Sequence, residues 1–256
     1  MNRVKPTPLK LSILVPAYNE DERIIDNLKE TCRIFKEAGW KFEVIVIDDG
    51  SRDQTLTRLK KAARQYPQIR VKRHFRNMGK GRALKFGSRF ARGEYTAFLD
   101  ADLELHPRQI LDFFKILEKT KADVVVGSKW HPDSAMNYPP ARGVISRLYY
   151  FGVKLLFRLP IRDTQTGLKL FKTRVLKEIF PAVLVKKYAF DLEILVNVKR
   201  LGYRMVEAPV EVLFRRHKLG RIGWKDLYKT FLDTLAIFYR LYILRYYDRK
   251  IRRHHR

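Results

Sequence analysis

The chain has one cysteine, no long apolar run and half as many acidic as basic residues, and each shortage excludes a class of protein. Cys32 is the single cysteine in 256 residues, which excludes an intrachain disulfide and, without neighbouring His or Cys, a structural zinc site. Charge interrupts every apolar run well before the ~18 residues that a spanning helix needs. The first twenty residues meet Pro and charge before a signal-peptide core could form. We therefore expect no transmembrane segment and a reducing compartment.

The charge balance points to anionic partners. Lys and Arg number 54 against 27 Asp and Glu, a net charge of +27. Two-thirds of that excess lies in residues 129–256, and the chain closes on the basic tail "RYYDRKIRRHHR". Such a field attracts nucleic acid, anionic lipid or phosphorylated substrates. At 46% hydrophobic and 12% aromatic residues, the chain can also bury a substantial core.

Strand and helix patterns alternate along the first half of the chain. Short apolar runs bounded by turn residues predict strands, and a helical pattern follows each of the first four. These strands are predicted at 11–18, 42–51, 69–75, 94–100 and 123–130. Strands joined by helical crossovers predict an α/β fold with a mostly parallel central sheet flanked by helices.

Polar clusters follow four of these strands, where ligands gather in open α/β sheets. They are "PAYNE", "DDGS", "DADLE" and "GSKW". Asp100, Asp102 and Glu104 alternate in what we take as an extended segment, which would point them the same way. Carboxylates at this spacing suit Mg²⁺ or Mn²⁺ held largely by substrate phosphates. The alternative is an acidic turn that caps the helix beginning at Pro107.

The ordered set "ILVPAYNEDERI", "VIVIDDGSRDQT", "NMGKGRALKFG" and "FLDADLELHP" resembles the nucleotide-sugar-binding half of the inverting family 2 glycosyltransferases, whose fold is called GT-A. The resemblance continues through "VVVGSKW", "RDTQTGLKLFK" and "FDLEILVNVKRLGYRMVEAPVEV". These later motifs look like the dolichyl- or polyprenyl-phosphate hexose synthases. The resemblance implies a GT-A domain at 1–222 and a C-terminal amphipathic helix with a basic tail at 223–256.

The resemblance also implies roles for individual residues. The nucleotide-sugar pocket would be lined by Pro16, Tyr18, Glu20, Ile47, Asp49, Lys80, Asp100 and Ala101. The metal ligands would be Asp100, Asp102 and Glu104, with Glu104 standing where many relatives have Gln. The acceptor phosphate would meet Arg142 and Ser146, and Lys129 would help to keep the two anionic substrates together. Arg216 and Arg221 are candidates for contacting the donor diphosphate. Asp191 is a candidate for a role near the sugar.

The implied reaction is a metal-dependent, inverting transfer of a hexose from UDP-glucose or GDP-mannose to a dolichyl or polyprenyl phosphate. "NMGKG", "DTQTGLKLF" and "FDLEIL" favour glucose over mannose. A soluble transferase that acts on a sugar hydroxyl is the alternative, with Asp191 as its base. A basic nucleic-acid-binding protein is disfavoured, because the sequence shows no RNP-like motif or DNA-binding helix pattern.

Two segments are apolar, aromatic and basic. Residues 224–247 place aromatic and aliphatic side chains at helical spacing, and 142–160 has a similar composition. Packing on the chain's own domain and binding at a membrane interface both explain such a helix. Together with the basic tail, they predict a peripheral enzyme on an anionic membrane surface at the cytoplasmic face. A membrane-protein partner and a homo-oligomer stay open.

Overall fold

The computed structural model describes residues 9–21, 23–135, 150–186, 189–213 and 224–252. Seven strands form one sheet in the order β3-β2-β1-β4-β6-β5-β7. The strands are β1 (Leu11–Ala17), β2 (Phe42–Asp48), β3 (Ile69–Arg73), β4 (Tyr95–Phe98), β5 (Val124–Ser128), β6 (Lys169–Lys172) and β7 (Met205–Pro209). The predicted α/β fold with a mostly parallel sheet is confirmed.

The sheet departs from parallel pairing at β6. This strand lies between β4 and β5 and runs antiparallel to both, whereas the other neighbouring pairs are parallel. All seven residues of β2 are buried, and six of the seven in β1 are. Strands covered on both faces are expected to be continuous apolar runs, which is why these two are readily visible in the sequence.

Helices cover both faces of the sheet. They are α1 (Ile24–Glu37), α2 (Thr55–Gln65), α3 (Lys80–Ser88), α4 (Gln109–Thr120), the described part of α5 (150–157), α6 (Thr173–Ile179), α7 (Phe190–Arg200), α8 (Trp224–Phe238) and α9 (Tyr246–Arg252). Buried side chains of α1, α2 and α4 form one core cluster, and those of α3, α5, α6, α7 and α8 form the other. The sheet separates the two clusters.

Helix α1 shows how the apolar spacing builds this packing. Ile24, Leu28, Cys32 and Phe35 recur at helical spacing and are all buried against the sheet. The predicted core thiol is confirmed, and its burial raises the pKa of Cys32 to about 11. The helix ends just before Gly39, whose φ of +69° is a conformation that glycine adopts without strain.

The C-terminal helical pattern is interrupted. A π-helical turn, Tyr239–Ile243, separates α8 from α9. Ile237 and Tyr247 are fully buried, and the Tyr247 hydroxyl donates to Glu193 of α7 at 2.5 Å. One side of this segment therefore packs on the domain. Within the described ranges, no helix has both the length and the apolarity needed to cross a bilayer. The proposed domain boundary at 222 and 223 lies outside the described residues.

Candidate active site

A cavity of about 470 Å³ opens at the edge of the sheet where the parallel strands end. We call it the rim cavity. Its lining comes from six separate stretches of chain: Pro16, Ala17, Tyr18, Glu20, Asp49, Asn77, Gly79, Lys80, Asp100, Ala101, Asp102, Gln165 and Asp191. The expectation that polar clusters after the strands meet at one rim is thus met for β1, β2 and β4.

Asp49 holds one wall of the rim cavity in place. Its carboxylate accepts the backbone N–H groups of Met78 at 3.1 Å and Gly79 at 2.8 Å. His74 Nδ1 lies 2.7 Å from the same carboxylate. Gly79 has a φ of +93°, which favours glycine. Because its oxygens accept these bonds, Asp49 shapes the loop that delivers Lys80.

The acidic stretch after β4 is a turn, so the predicted extended segment is wrong. The strand ends at Phe98, and the Leu103 N–H donates back to the Asp100 carbonyl at 3.4 Å. Leu103 is buried and has a φ of +51°, because the chain bends sharply to bring this side chain into the core. Asp100 and Asp102 both line the rim cavity nonetheless. The turn, rather than strand alternation, brings them together.

The donor set of the rim cavity fits a divalent cation that shares its coordination with a ligand. Two carboxylates, Asp100 and Asp102, face the cavity, and hard oxygen ligands of this number are typical of Mg²⁺ held together with phosphates. Within the described parts of the chain, no three His, Cys, Asp or Glu side chains lie close enough to hold a metal. The turn ends the alternation that suggested Glu104 as a third ligand, and that role stays a prediction.

Among the described residues, Lys80 forms the ion pair with Asp100. Its Nζ lies 2.5 Å from Asp100 Oδ1. Burial disfavours the charged form of Lys80, but the carboxylates of Asp100 and Asp191 outweigh this effect and raise the pKa of Lys80 well above its usual range. Burial likewise works against the ionised Asp100, yet Lys80, with Lys169 and Lys129, lowers the pKa of that carboxyl. Both groups are therefore charged at neutral pH.

Asp191 is held by a lysine that is completely buried. It lies in the first turn of α7, where a carboxylate stabilises the helix N-terminus. The Lys169 Nζ donates to Asp191 Oδ1 at 2.7 Å and also to the Thr166 carbonyl. Lys169 has no exposed surface. This pair fixes the Asp191 carboxylate at the floor of the rim cavity.

The other predicted site residues divide into three groups. Ile47 was expected to line the pocket, but it does not line the rim cavity, because its side chain is fully buried beneath α3 in the core cluster. Lys129 does not line the rim cavity; its Nζ lies 3.8 Å from Asp163, within electrostatic reach of Asp100. Four predicted residues lie outside the described residues: Arg142, Ser146, Arg216 and Arg221.

Sequence reasoning missed six residues of the described site. Ala17, Asn77, Gly79 and Gln165 line the rim cavity, Lys169 pairs with Asp191, and Gly167 packs against Asp100. Asn77 and Gly79 belong to the recognised "NMGKG", so the signal was present there. Gln165, Gly167 and Lys169 belong to the recognised "RDTQTGLKLFK", but they lie just before or within β6, and because this strand was not predicted they were not placed at the rim.

Gly167 yields a testable prediction because it leaves no room for a side chain. A Cβ at this position would lie 2.0 Å from Asp100 Oδ2, so the carboxylate would have to move. We expect Gly167→Ala to lower kcat/KM of the reaction in the rim cavity by about a hundredfold, as misplacement of a site group by about 1 Å does. Gly152→Ala is the control, since a Cβ there meets nothing within 4 Å. Wild-type kcat/KM in Gly167→Ala would contradict this role for Asp100.

The fold of the chain is an α/β fold of the GT-A kind. Glucosyl-3-phosphoglycerate synthase of Mycobacterium tuberculosis, solved with uridine diphosphate, has a similar fold (TM-score 0.66, 17% identity, 90% of this chain and 79% of that one). So does mannosyltransferase PcManGT of Pyrobaculum calidifontis, solved with GDP-Man and Mn²⁺ (TM-score 0.59, 21% identity, 92% and 67%). At these identities the likeness concerns the fold alone.

Sequence similarity identifies the family. Residues 12–180 match Glycosyl transferase family 2, and the chain belongs to that family and is a glycosyltransferase. A dolichyl-phosphate beta-glucosyltransferase of Trichomonas vaginalis is 33% identical, with 96% of this chain and 78% of the relative aligned. Another protein of that name, from Dictyostelium discoideum, is 32% identical over 78% of this chain and 65% of the relative. Glycosyltransferase AglD of Haloferax volcanii is 32% identical over 79% of this chain and 33% of its own length.

Proposed function

We propose that this glycosyltransferase moves glucose from UDP-glucose to a polyprenyl or dolichyl phosphate, with inversion at the anomeric carbon and a Mg²⁺ or Mn²⁺ ion. The observation that carries the proposal is the convergence of Asp100, Asp102, Lys80 and Asp191 on the rim cavity. The names of the curated relatives support the lipid phosphate and favour glucose. GDP-mannose is the alternative donor, because a protein of similar fold was solved with GDP-Man.

The charges of the rim cavity suit a diphosphate leaving group. Asp100 and Asp102 would hold the divalent ion, which offsets the negative charge on the departing nucleoside diphosphate. Lys80 stands beside Asp100 and can turn toward the same phosphates. Pro16, Tyr18 and Glu20 form the wall after β1, where we expect the nucleoside to bind. These residues orient the donor and keep its phosphates at the acidic pair.

The state of Asp191 favours a phosphate acceptor over a hydroxyl acceptor. A phosphate oxygen is already anionic near neutral pH, so the enzyme needs no strong general base. The Lys169 Nζ donates to Asp191 Oδ1 at 2.7 Å, so one oxygen of this carboxylate is already engaged by a buried cation. Its task is then to orient the sugar beside the donor phosphates. Lys129 and Arg142 are our candidates for binding the acceptor phosphate.

A transfer assay tests the proposal. Purified protein with Mn²⁺ or Mg²⁺ is incubated with labelled UDP-glucose or GDP-mannose and a polyprenyl phosphate in detergent, and label is measured in the organic phase. We expect label from UDP-glucose, no label after EDTA, and an anomeric configuration opposite to that of the donor. Transfer from neither donor, or retained configuration, would overturn the proposal.

The hydroxyl-acceptor alternative is tested at Asp191. If the acceptor were a sugar hydroxyl, Asp191→Asn would abolish turnover, because that reaction needs a base. With a lipid phosphate acceptor, we expect the variant to retain measurable transfer and a pH profile without an ionisation assignable to a base.

We further infer a peripheral position on the cytoplasmic face of a membrane. Helix α8 and the following π-helical turn expose a face rich in aromatic and aliphatic side chains: Tyr228, Phe231, Leu232, Leu235, Tyr239 and Tyr242. Phe151 and Leu155 of α5 are also exposed, and α5 packs beside α8 through the Phe157 and Phe238 rings. An apolar surface of this kind supports contact with the lipid interface.

The contribution of α8 can be measured with vesicles. We expect Phe231→Ser with Leu235→Ser to weaken sedimentation with phosphatidylcholine vesicles about tenfold, because both exposed side chains would lose burial in lipid. The effect should persist at high salt, because it does not depend on charge. Lys60→Ser with Lys61→Ser, two exposed positions on α2, is the matched control. Equal loss in the two double variants would contradict this role of α8.

A further inference from the structure

A second and larger cleft lies next to the rim cavity. Its volume is about 850 Å³, and its walls are the loop after β3, the outer side of α3 and the segment 183–186. We call it the basic cleft. It is lined by Arg73, His74, Phe75, Arg76, Met78, Arg82, Lys85, Phe86, Arg89, Val183, Leu184, Val185 and Lys186. Six of these residues are Arg or Lys, and none is acidic.

Arg73 and Lys85 of the basic cleft have partners within the fold, the Asp48 carboxylate at 3.4 Å and the Val183 carbonyl at 2.7 Å, but among the described residues three arginines do not have a carboxylate partner. Arg76, Arg82 and Arg89 are exposed, and in the described part of the chain none of them forms an ion pair with a carboxylate. Like charges gathered on one wall repel one another, so the arrangement costs free energy in the isolated protein. An anionic partner would remove that cost.

The basic cleft also presents apolar side chains to solvent. Phe75 is 97% exposed between Arg73 and Arg76, and Leu184 is 47% exposed on the opposite wall. An aromatic side chain so fully in water gains by entering an apolar phase, and cations on each side of it suit the anionic headgroups above such a phase. Nucleic acid phosphates would neutralise the cations, but a nucleic acid has no apolar phase in which Leu184 would be buried.

The walls of the basic cleft are rigidly connected to the catalytic elements. The buried carboxylate of Glu193 accepts the N–H groups of Leu184 and Val185, and the Gly81 N–H donates to the Lys186 carbonyl. The loop that carries Phe75 continues into Met78 and Gly79, which Asp49 anchors at the rim cavity. A partner bound in the basic cleft therefore lies beside the donor site.

We propose that the basic cleft docks the enzyme on a bilayer containing anionic phospholipids, with Phe75 inserted among the headgroups and the arginines bound to lipid phosphates. The proposal rests on the proposed function, because a lipid acceptor lies in a bilayer and the enzyme must bind there to reach it. Helices α3, α5 and α8 pack on the same face of the sheet. The basic cleft and the apolar surface of α8 thus belong to one side of the protein.

Vesicle binding tests the proposal with a charge-matched control. The cleft variant combines Arg76→Ala, Arg82→Ala and Arg89→Ala. The control combines Arg58→Ala, Lys61→Ala and Arg64→Ala, three exposed cations of α2 on the opposite face of the sheet. On vesicles of phosphatidylcholine with 30% phosphatidylglycerol, we expect the cleft variant to bind about a hundredfold more weakly and the control to bind nearly as well as wild type. Phe75→Ser should weaken binding to the same vesicles by itself.

The outcomes separate this proposal from the proposed function. Transfer to a short-chain polyprenyl phosphate in detergent needs no bilayer, so we expect the cleft variant to keep it. Equal loss of vesicle binding in the two triple variants would mean that net charge alone acts, and would overturn the proposal. So would unchanged binding of the cleft variant, or binding of wild type to single-stranded RNA in preference to these vesicles. If the wild-type protein transferred no sugar to the polyprenyl phosphate in detergent, the proposed function would be overturned instead.

Discussion

Replacing Asp100 with asparagine is expected to lower the rate of sugar transfer by about a thousandfold, the loss seen when a group that stabilises developing charge is removed. Asparagine keeps the size and the hydrogen-bonding geometry of the side chain but removes the negative charge at the rim cavity. Lys80 would then face a neutral amide in place of a carboxylate 2.5 Å away. Initial rates with labelled donor and polyprenyl phosphate measure the effect.

The control for Asp100→Asn removes the same charge at a distant site. Asp112 is exposed on α4 and pairs with Lys115 on the same helix. We expect Asp112→Asn to transfer sugar at the wild-type rate. A thermal unfolding curve of Asp100→Asn similar to that of wild type would show that the fold is retained. Transfer by Asp100→Asn within tenfold of wild type would mean that Asp100 does not hold the metal.

Replacing Lys169 with methionine is expected to lower the free energy of unfolding by about 3 kcal/mol, because removing one partner of a buried ion pair leaves the other charge without compensation. The pair joins β6 to the first turn of α7 at 2.7 Å, and the lysine has no exposed surface. Denaturation in guanidinium chloride measures the change. Burial itself is retained, since methionine fills a similar volume.

A second variant separates the lost pair from damage to packing. Replacing both partners, Lys169→Met with Asp191→Leu, removes both charges, and we expect it to recover much of the lost stability. Lys115→Met is the surface control, since its pair with Asp112 is solvent-exposed and contributes little. If Lys169→Met unfolds at the wild-type denaturant concentration, the buried pair has no role in stability.

Apolar strands made most of the fold predictable. The fully buried β2 and nearly fully buried β1 are continuous apolar runs, and the polar residues after them fall at the carboxyl edge of the sheet. Pro16, Tyr18, Glu20, Asp49, Asp100 and Asp102 lie at the carboxyl ends of predicted strands or just after them and could therefore be assigned to one rim from the sequence. Asp191 does not follow a predicted strand and was a candidate only through the resemblance. Ile47 does not line the rim cavity, because its side chain packs beneath α3, and the resemblance alone does not show which apolar residues of a strand pack in the core.

The part of the site built around β6 could not be predicted. This strand has only four residues, Lys169–Lys172, and two of them are lysines, so no strand pattern is visible. It runs against its neighbours, so its beginning rather than its end lies at the carboxyl edge of β4. Gln165 and Gly167 reach the rim cavity by this reversal. The rule that ligands bind at the carboxyl ends of parallel strands does not apply to residues that precede an antiparallel strand.

The ion pair of Lys80 and Asp100 has a consequence for how ligands enter the site. While the ammonium group occupies Asp100, the acidic pair already has a counter-ion, so an incoming divalent ion must exchange with a charge that the protein itself supplies. A diphosphate that draws Lys80 away frees that carboxylate, and by thermodynamic linkage each ligand then strengthens the binding of the other. The divalent cation and the sugar donor would accordingly bind cooperatively rather than independently.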